Sequence, residues 1–335
     1  MTTTSPPPDP TPWQRMRYQA GQRPGHYESW FLRANHPTTR QAFWIRYTIF
    51  SPHGRPEQAI GELWAIRFDE HAGIRAGKSE IPLAACRFGD GGLDVRIGAA
   101  ALTPGRLEGE VQAPHRLRWD LRYEGGGAPV LFLPEGYYAA RLPKAKAVTP
   151  RPFVRFSGSL EVDGVSWPIE DWVGSENHNW GSKHTDTYAW GQVVGFDDQP
   201  DAFLEVITAR LKLGPIWTPP LTILVLRVGR EEYRLNTIAQ ALRARGRWGY
   251  FHWDFSSRAP GVAMHGRFEA TPGDFVGLTY YNPPGGSHTC LNSKIAACDL
   301  TLERTGQPPL LLRTTHRAAF EILTDDKDHG VPMAT

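Results

Sequence analysis

The chain has 335 residues, a formal net charge of +2 and a charged fraction of 21%, so it offers no strong field for nucleic acid, and no basic run marks an anionic membrane. Its 34 Gly and 29 Pro imply many turns, which suit short strands better than long helices. Three cysteines, Cys86, Cys290 and Cys298, include no C-x-x-C pair, which argues against a disulfide framework or a zinc site and makes a reducing compartment the default.

Residues 1–24 are Thr/Pro-rich, then polar and basic. They are expected to be disordered or loosely docked, with Trp13, Met16 and Tyr18 as the residues able to dock. No basic n-region precedes an apolar h-region, and no stretch approaches the ~18 apolar residues of a membrane span. The expectation is a soluble, cytoplasmic protein without a transmembrane segment, with peripheral membrane contact left open.

Strands follow at 26–34, 41–50 and 59–69, then shorter pieces (GLDVRIG, RLEGEVQA, RLRWDLRYE, VLFLP) parted by Gly and Pro. Such lengths and links point to an antiparallel sandwich or closed barrel rather than βαβ units. Residues 133–152 lose the alternation and read as a crossover with one helical turn. The strand pattern resumes at Phe153, and Asp163-Gly164 carries the chemistry of a two-residue hairpin turn.

The stretch 171–196, DWVGSENHNWGSKHTDTYAWGQVVGF, reads as two strands facing each other in a hairpin. Side chains alternate along a strand, so Trp172, Gly174, Glu176, His178 and Trp180 share a face of the first. Tyr188, Trp190, Gln192, Val194 and Phe196 share a face of the second. A carboxylate and an imidazole thereby stand among indoles.

Further strands are expected at 202–213, 222–229 and 231–236, a short helix at 237–247, and strands through to 323. Residues 326–335 look frayed. Cys290 and Cys298 are eight apart in one strand, hence on one face, as buried thiols. A weak internal repeat sets Trp30 and Trp44 against Trp180 and Trp190. No G-x-S-x-G, P-loop, G-x-G-x-x-G or H-E-x-x-H pattern is present, which argues against hydrolase, nucleotide and zinc-protease readings.

ENHNWGSKHTDTYAWGQ resembles the N-W-G, spacer, W-x-Q signature of the tocopherol cyclase, carotenoid 1,2-hydratase (hydroxyneurosporene synthase) and AttH-like group. ESWFLRA is similar to that group's opening strand, and PPGGSHTCLNSKIAACDLTLE to its closing one. The resemblance implies an all-β chain of two consecutive lipocalin-like antiparallel β-barrels, which agrees with the strand count. The units expected are 25–167 and 168–325, with the boundary near 163–171. The chain departs from plant-type cyclases around the N-W-G: Glu176-Asn177-His178 precedes it and Ser182-Lys183-His184 follows.

Glu176 is the candidate acid and His178 its partner. A Glu beside indoles and away from water has its charged form disfavoured. The bland alternative has both bonded to a loop or to Arg side chains. Trp180, Tyr188, Trp190 and Gln192 are candidate ligand-binding residues, with Glu28, Trp30 and Trp44 as first-half counterparts. Core packing is the competing reading for the aromatics. No metal site is expected. The resemblance implies an isoprenoid-modifying enzyme, a cofactor-independent hydratase or cyclase acting on a prenyl or polyene substrate. The alternative is a non-catalytic binding protein for a lipid or other hydrophobic small molecule.

Overall fold

The computed structural model describes residues 9–334, so residues 1–8 of the expected N-terminal segment and Thr335 lie outside the description. Runs in which apolar and polar residues alternate give a strand one apolar face and a helix none. The described chain is accordingly almost all strand, with α-helix confined to Thr11–Gln14, Gly136–Ala139 and Ile238–Arg243. Two large curled antiparallel sheets hold the strands, the lipocalin-like double architecture expected.

The first sheet passes through the strands Leu117–Gly126, Ala145–Val162, Val165–Gly181, His26–Asn35, Gln41–Ser51, Ile60–Asp69 and Arg75–Pro82 in that spatial order, with short strands at its edges. It curls around Trp30, Phe43, Trp119, Phe156 and Trp172. The second passes through Glu231–Leu235, Leu221–Val228, Ala202–Arg210, Thr187–Val194, Leu310–Thr324, Ser287–Arg304, Val262–Glu269 and His252–Ala259. It encloses Trp253, Phe255, Phe268 and Phe320. The outer face of the first sheet then packs on the second. Trp44, Trp64 and Phe68 meet Leu278, Tyr280 and Leu323, while Phe31 and Val173 meet Trp190, Phe203 and Val225. Asp163 and Gly164 both take positive φ, 50° and 86°, as their hairpin turn requires.

Several expectations need correction. The strands of the central stretch do not form a hairpin. Val165–Gly181 pairs with His26–Asn35 and Ala145–Val162, whereas Thr187–Val194 pairs with Ala202–Arg210 and Leu310–Thr324. The link 182–186 carries the chain from one sheet to the other, so the change of sheet comes later than the expected boundary at 167/168. Trp30 and Trp180 consequently sit on neighbouring strands of one sheet, not at equivalent places in two. The helix ends at Arg243, and Arg245–Gly249 pairs as a strand.

The tail is not frayed. Val331 is buried, and Gly277 donates to the Pro332 carbonyl at 2.9 Å while Ala334 donates back to the Gly277 carbonyl at 2.9 Å. Gly277 permits this approach, because a Cβ there would meet the Met333 sulfur. Cys290 and Cys298 are both buried but face apart, Cys290 toward the other sheet and Cys298 into the second core. Register shifts between Ser293 and Cys298 break the alternation the eight-residue spacing relied on.

Candidate functional site

The strand Val165–Gly181 is a partition. Its even-numbered side chains from Trp172 point into the first sheet's core, and its odd-numbered ones, Val173, Ser175 and Asn177, point at the second sheet. The expected site residues are divided by it. Glu176, His178, Glu28, Trp30 and Trp180 lie on the inner side. Trp44, Tyr188, Trp190 and Gln192 lie between the sheets. The aromatic wall expected beside Glu176 from Tyr188, Trp190 and Gln192 is therefore not there.

The inner cluster is closed by the N-terminal segment, which packs on the first sheet from residue 11 onward through Trp13, Met16 and Tyr18. Glu176 Oε1 accepts from Gln14 Nε2 at 2.5 Å and Oε2 from the Tyr123 hydroxyl at 2.8 Å. Arg151 Nε stands 3.8 Å away. Burial raises the Glu176 pKa against the pull of those two hydrogen bonds. Glu28 accepts from the backbone N–H groups of Arg17 and Tyr18 and from His26 and His178, at 2.8–3.0 Å. Burial works against its charge, but the hydrogen bonds and charges of His178 and His26 outweigh it and hold the carboxyl at about 2.

His178 faces an acceptor at each ring nitrogen, the Trp13 carbonyl at 2.7 Å and the Glu28 carboxylate at 2.8 Å. Its ring lies 4.8 Å from the Trp30 ring, nearly parallel, and 4.8 Å from the Trp180 ring. The two indoles thereby pack against the ring and fix its place. Trp30 Nε1 donates to the Gln14 carbonyl at 2.8 Å. Each group in this cluster is thus spent on residues 13–18.

The layer between the sheets is different in kind. Gln192 is fully buried and donates to Asn177 Oδ1 at 2.8 Å while accepting from Ser175 at 2.8 Å. Arg33 is also fully buried and reaches across to the backbone carbonyls of Gln192 and Arg317, at 3.1 and 2.9 Å. Burial lowers its pKa to about 9, partly opposed by Glu321. Lys294 and Glu321 form an ion pair at 2.7 Å, which Asn292 joins. Burial pushes the Lys294 ammonium down against that pairing. Its Nζ lies 5.6 Å from the Trp44 ring and 5.9 Å from the Trp190 ring, and Arg46 stands 4.5 Å over Tyr280.

Glu205 completes the layer. Its Oε1 accepts from Trp190 Nε1 at 3.1 Å and its Oε2 from Thr149 at 2.9 Å. Among the described residues no cation pairs with it, and burial lifts its pKa to about 7 against those two bonds. Beside it Phe31, Val173, Tyr188, Ile207 and Ile223 are only partly buried although they lie within strands. Glu205, Lys294 and Glu321 were missed in the sequence. The available signal was a lone charge inside an otherwise apolar strand run, as in AFLEVITA, SKIAA and AAFEIL, since such a charge needs a partner or a shifted pKa. Among the described residues, no cluster of His, Cys, Asp and Glu is arranged to hold a metal ion.

No family model matches the chain. Two uncharacterized Mycobacterium tuberculosis proteins, from strains CDC 1551 / Oshkosh and H37Rv, are each 26% identical over 293 residues, covering 87% of this chain and 85% of theirs. Among solved structures, a Nitrosomonas europaea protein with a provisional AttH assignment aligns with a TM-score of 0.56 and 15% identity, over 89% of this chain and 92% of its own. Kievitone hydratase from Nectria haematococca aligns with a TM-score of 0.57 and 11% identity, over 89% of each chain. At these identities the likeness establishes the fold: the chain is a double lipocalin-like β protein of the architecture these two share.

Proposed function

We propose that the chain is a cofactor-independent enzyme of hydratase or cyclase type, acting on an apolar unsaturated molecule held between the two sheets, with Glu205 as the proton donor. The observation that carries this is the Glu205 carboxyl, buried with no cation partner among the described residues and lifted to about 7 beside Trp190; the part-exposed Phe31, Val173, Tyr188, Ile207 and Ile223 are assigned in this reading as the lining of a substrate cleft. A carboxyl at that value holds its proton in a large share of molecules near neutral pH and can both give and retake it. Transfer to one alkene carbon leaves a cation on the other. Attack by water then forms a C–O bond and returns a proton to Glu205. Attack by a hydroxyl of the substrate closes a ring instead, with the same proton balance. Tyr188, part-exposed and not held by a protein cation in the contacts above, offers a ring face to the cation, worth about 0.5–2 kcal/mol when desolvated. A prenyl or polyene chain suits such a lining. The likeness to kievitone hydratase, a hydratase by its name, supports hydration as the reaction class.

In this reading Glu176, His178 and Glu28 anchor the N-terminal segment and do not touch substrate. The part-exposed apolar lining of the cleft favours one further reading, a carrier that binds by burial alone. Incubation with prenylated phenols and polyenes in ¹⁸O-labelled water separates the two. The enzyme reading expects labelled oxygen, or a cyclised isomer, in the product. Quenching of Trp fluorescence by the same compounds without any product would leave the carrier.

A further inference from the structure

Nine large apolar side chains stand exposed among the described residues, and six of them, Leu142, Leu213, Ile216, Trp217, Ile238 and Leu242, gather at one end of the protein. Three segments build that end. The crossover around Gly136–Ala139 lies beside the change of sheet, where Ser182 donates its N–H to the Lys144 carbonyl at 3.2 Å. The small hairpin of Lys212–Leu213 and Ile216–Trp217 hangs on the same link, since the Lys212 N–H donates to Asp186 at 3.0 Å. The helix Ile238–Arg243 follows Leu235, which pairs with Leu224 near the start of Leu221–Val228, where the hairpin returns to the sheet. Just beyond it, Gly246 lies against Thr208 and Thr222.

The charges of these segments are one-sided. Residues 136–149, 206–222 and 236–249 contain no Asp or Glu. They contain eight cations: Arg141, Lys144 and Lys146 in the first, Arg210 and Lys212 in the second, Arg243, Arg245 and Arg247 in the third. The nearby Lys183 and Asp186 pair with each other. Exposed Glu135, the N-cap of Gly136–Ala139, is an acid set against these eight, so a chain of net charge +2 still carries a basic end, invisible in sequence because the cations are spread over three short segments. Apolar tips ringed by Lys and Arg are what an anionic lipid surface binds, the tips entering the headgroup region and the cations lying over the phosphates. Ile216 and Leu213 are 69% and 64% exposed, a standing cost in water that such a surface removes. Tyr188, Ile207 and Ile223, assigned above to the substrate cleft, lie within three residues of the strand termini Thr187, Arg210 and Leu221, at this same end.

We propose that this end docks on an anionic membrane surface and that the cleft draws its apolar substrate from the bilayer. The second clause rests on the enzyme reading above; the docking does not. Sedimentation of the full chain with phosphatidylcholine vesicles, with and without phosphatidylserine, tests it. Binding is expected to be at least roughly tenfold tighter with phosphatidylserine and to fall as salt is raised. Ile216→Ser with Trp217→Ser, and separately Arg243→Gln with Arg245→Gln and Arg247→Gln, should each cut binding about tenfold, with an unchanged melting temperature showing that the fold is intact. Equal binding to both vesicle types, or variants that bind like the parent, would overturn the proposal. So would binding of a single-stranded oligonucleotide at the same salt with no binding of vesicles. Turnover without vesicle binding removes the docking and leaves the enzyme; vesicle binding without turnover does the reverse.

Discussion

Replacing Glu205 by Gln isolates what it costs to keep an acid between the sheets. The substitution preserves the geometry. Gln Oε1 can accept from Trp190 Nε1, now at 3.1 Å, and Gln Nε2 can donate to Thr149 Oγ1, now at 2.9 Å, which still donates to Asn177 at 3.2 Å. Folded, the carboxyl sits at about 7 against an ordinary value of 4.5, to which it returns on unfolding. Between those values the native chain holds a proton that the unfolded chain has lost. Stability must therefore fall as pH rises from about 4.5 to about 7, and stay level above. The difference of about 2.5 pH units (7 − 4.5) corresponds to about 3 kcal/mol. Urea unfolding of both proteins across this range reads it directly. The two curves should converge near pH 4.5 and part by about 3 kcal/mol above pH 7, with Glu205→Gln the more stable. A gap that does not change with pH would refute the assignment of a neutral, buried Glu205.

Glu28 has the opposite sign. Held at about 2 against an ordinary 4.5, it contributes stability that is full above the latter value and lost as pH falls toward the former, so Glu28→Gln should flatten the acid limb of the stability curve; a parent curve already flat there would contradict this. Gln14→Ala leaves Glu176 Oε1 without its donor, which should cost about 1–3 kcal/mol and speed tryptic cleavage at Arg15 and Arg17; resistance equal to the parent's would show that the segment is held without it. Trp190→Ala removes both a ring of the cleft wall and a donor to Glu205, and should weaken binding of an apolar probe at least about tenfold by fluorescence quenching. Unchanged affinity would place the ligand elsewhere.

Much of this was legible because local chemistry and tertiary structure agree. The alternating runs became strands nearly to the residue at His26–Asn35 and Gln41–Ser51, and Asp163-Gly164 made its turn. The alternation of Glu176, His178 and Trp180 also put them on one buried face. Which sheet a strand joins is another matter, because pairing is decided by partners far along the chain. Nothing local in SKHTD distinguishes a hairpin loop from a link between sheets, so the sequence places Tyr188, Trp190 and Gln192 beside Glu176 although their strand pairs in the other sheet. The N-terminal segment has the composition of a disordered tail, yet its backbone N–H groups and the Gln14 amide meet two buried carboxylates that no composition shows. Glu205 stands out in sequence only as a lone charge in an apolar run; that no cation among the described residues pairs with it is a fact of the packing.

The most direct test of the central claim is to compare Glu205→Gln and Glu176→Gln on one substrate that the parent converts. The two carboxyls are both buried and both raised, on opposite faces of the same partition. Acid catalysis from the intersheet cleft predicts that Glu205→Gln loses roughly 10²-fold or more in turnover while still binding the substrate, and that Glu176→Gln keeps most of its activity once folded. Full turnover by Glu205→Gln, with activity lost in Glu176→Gln, would contradict the account and return the chemistry to the inner cluster.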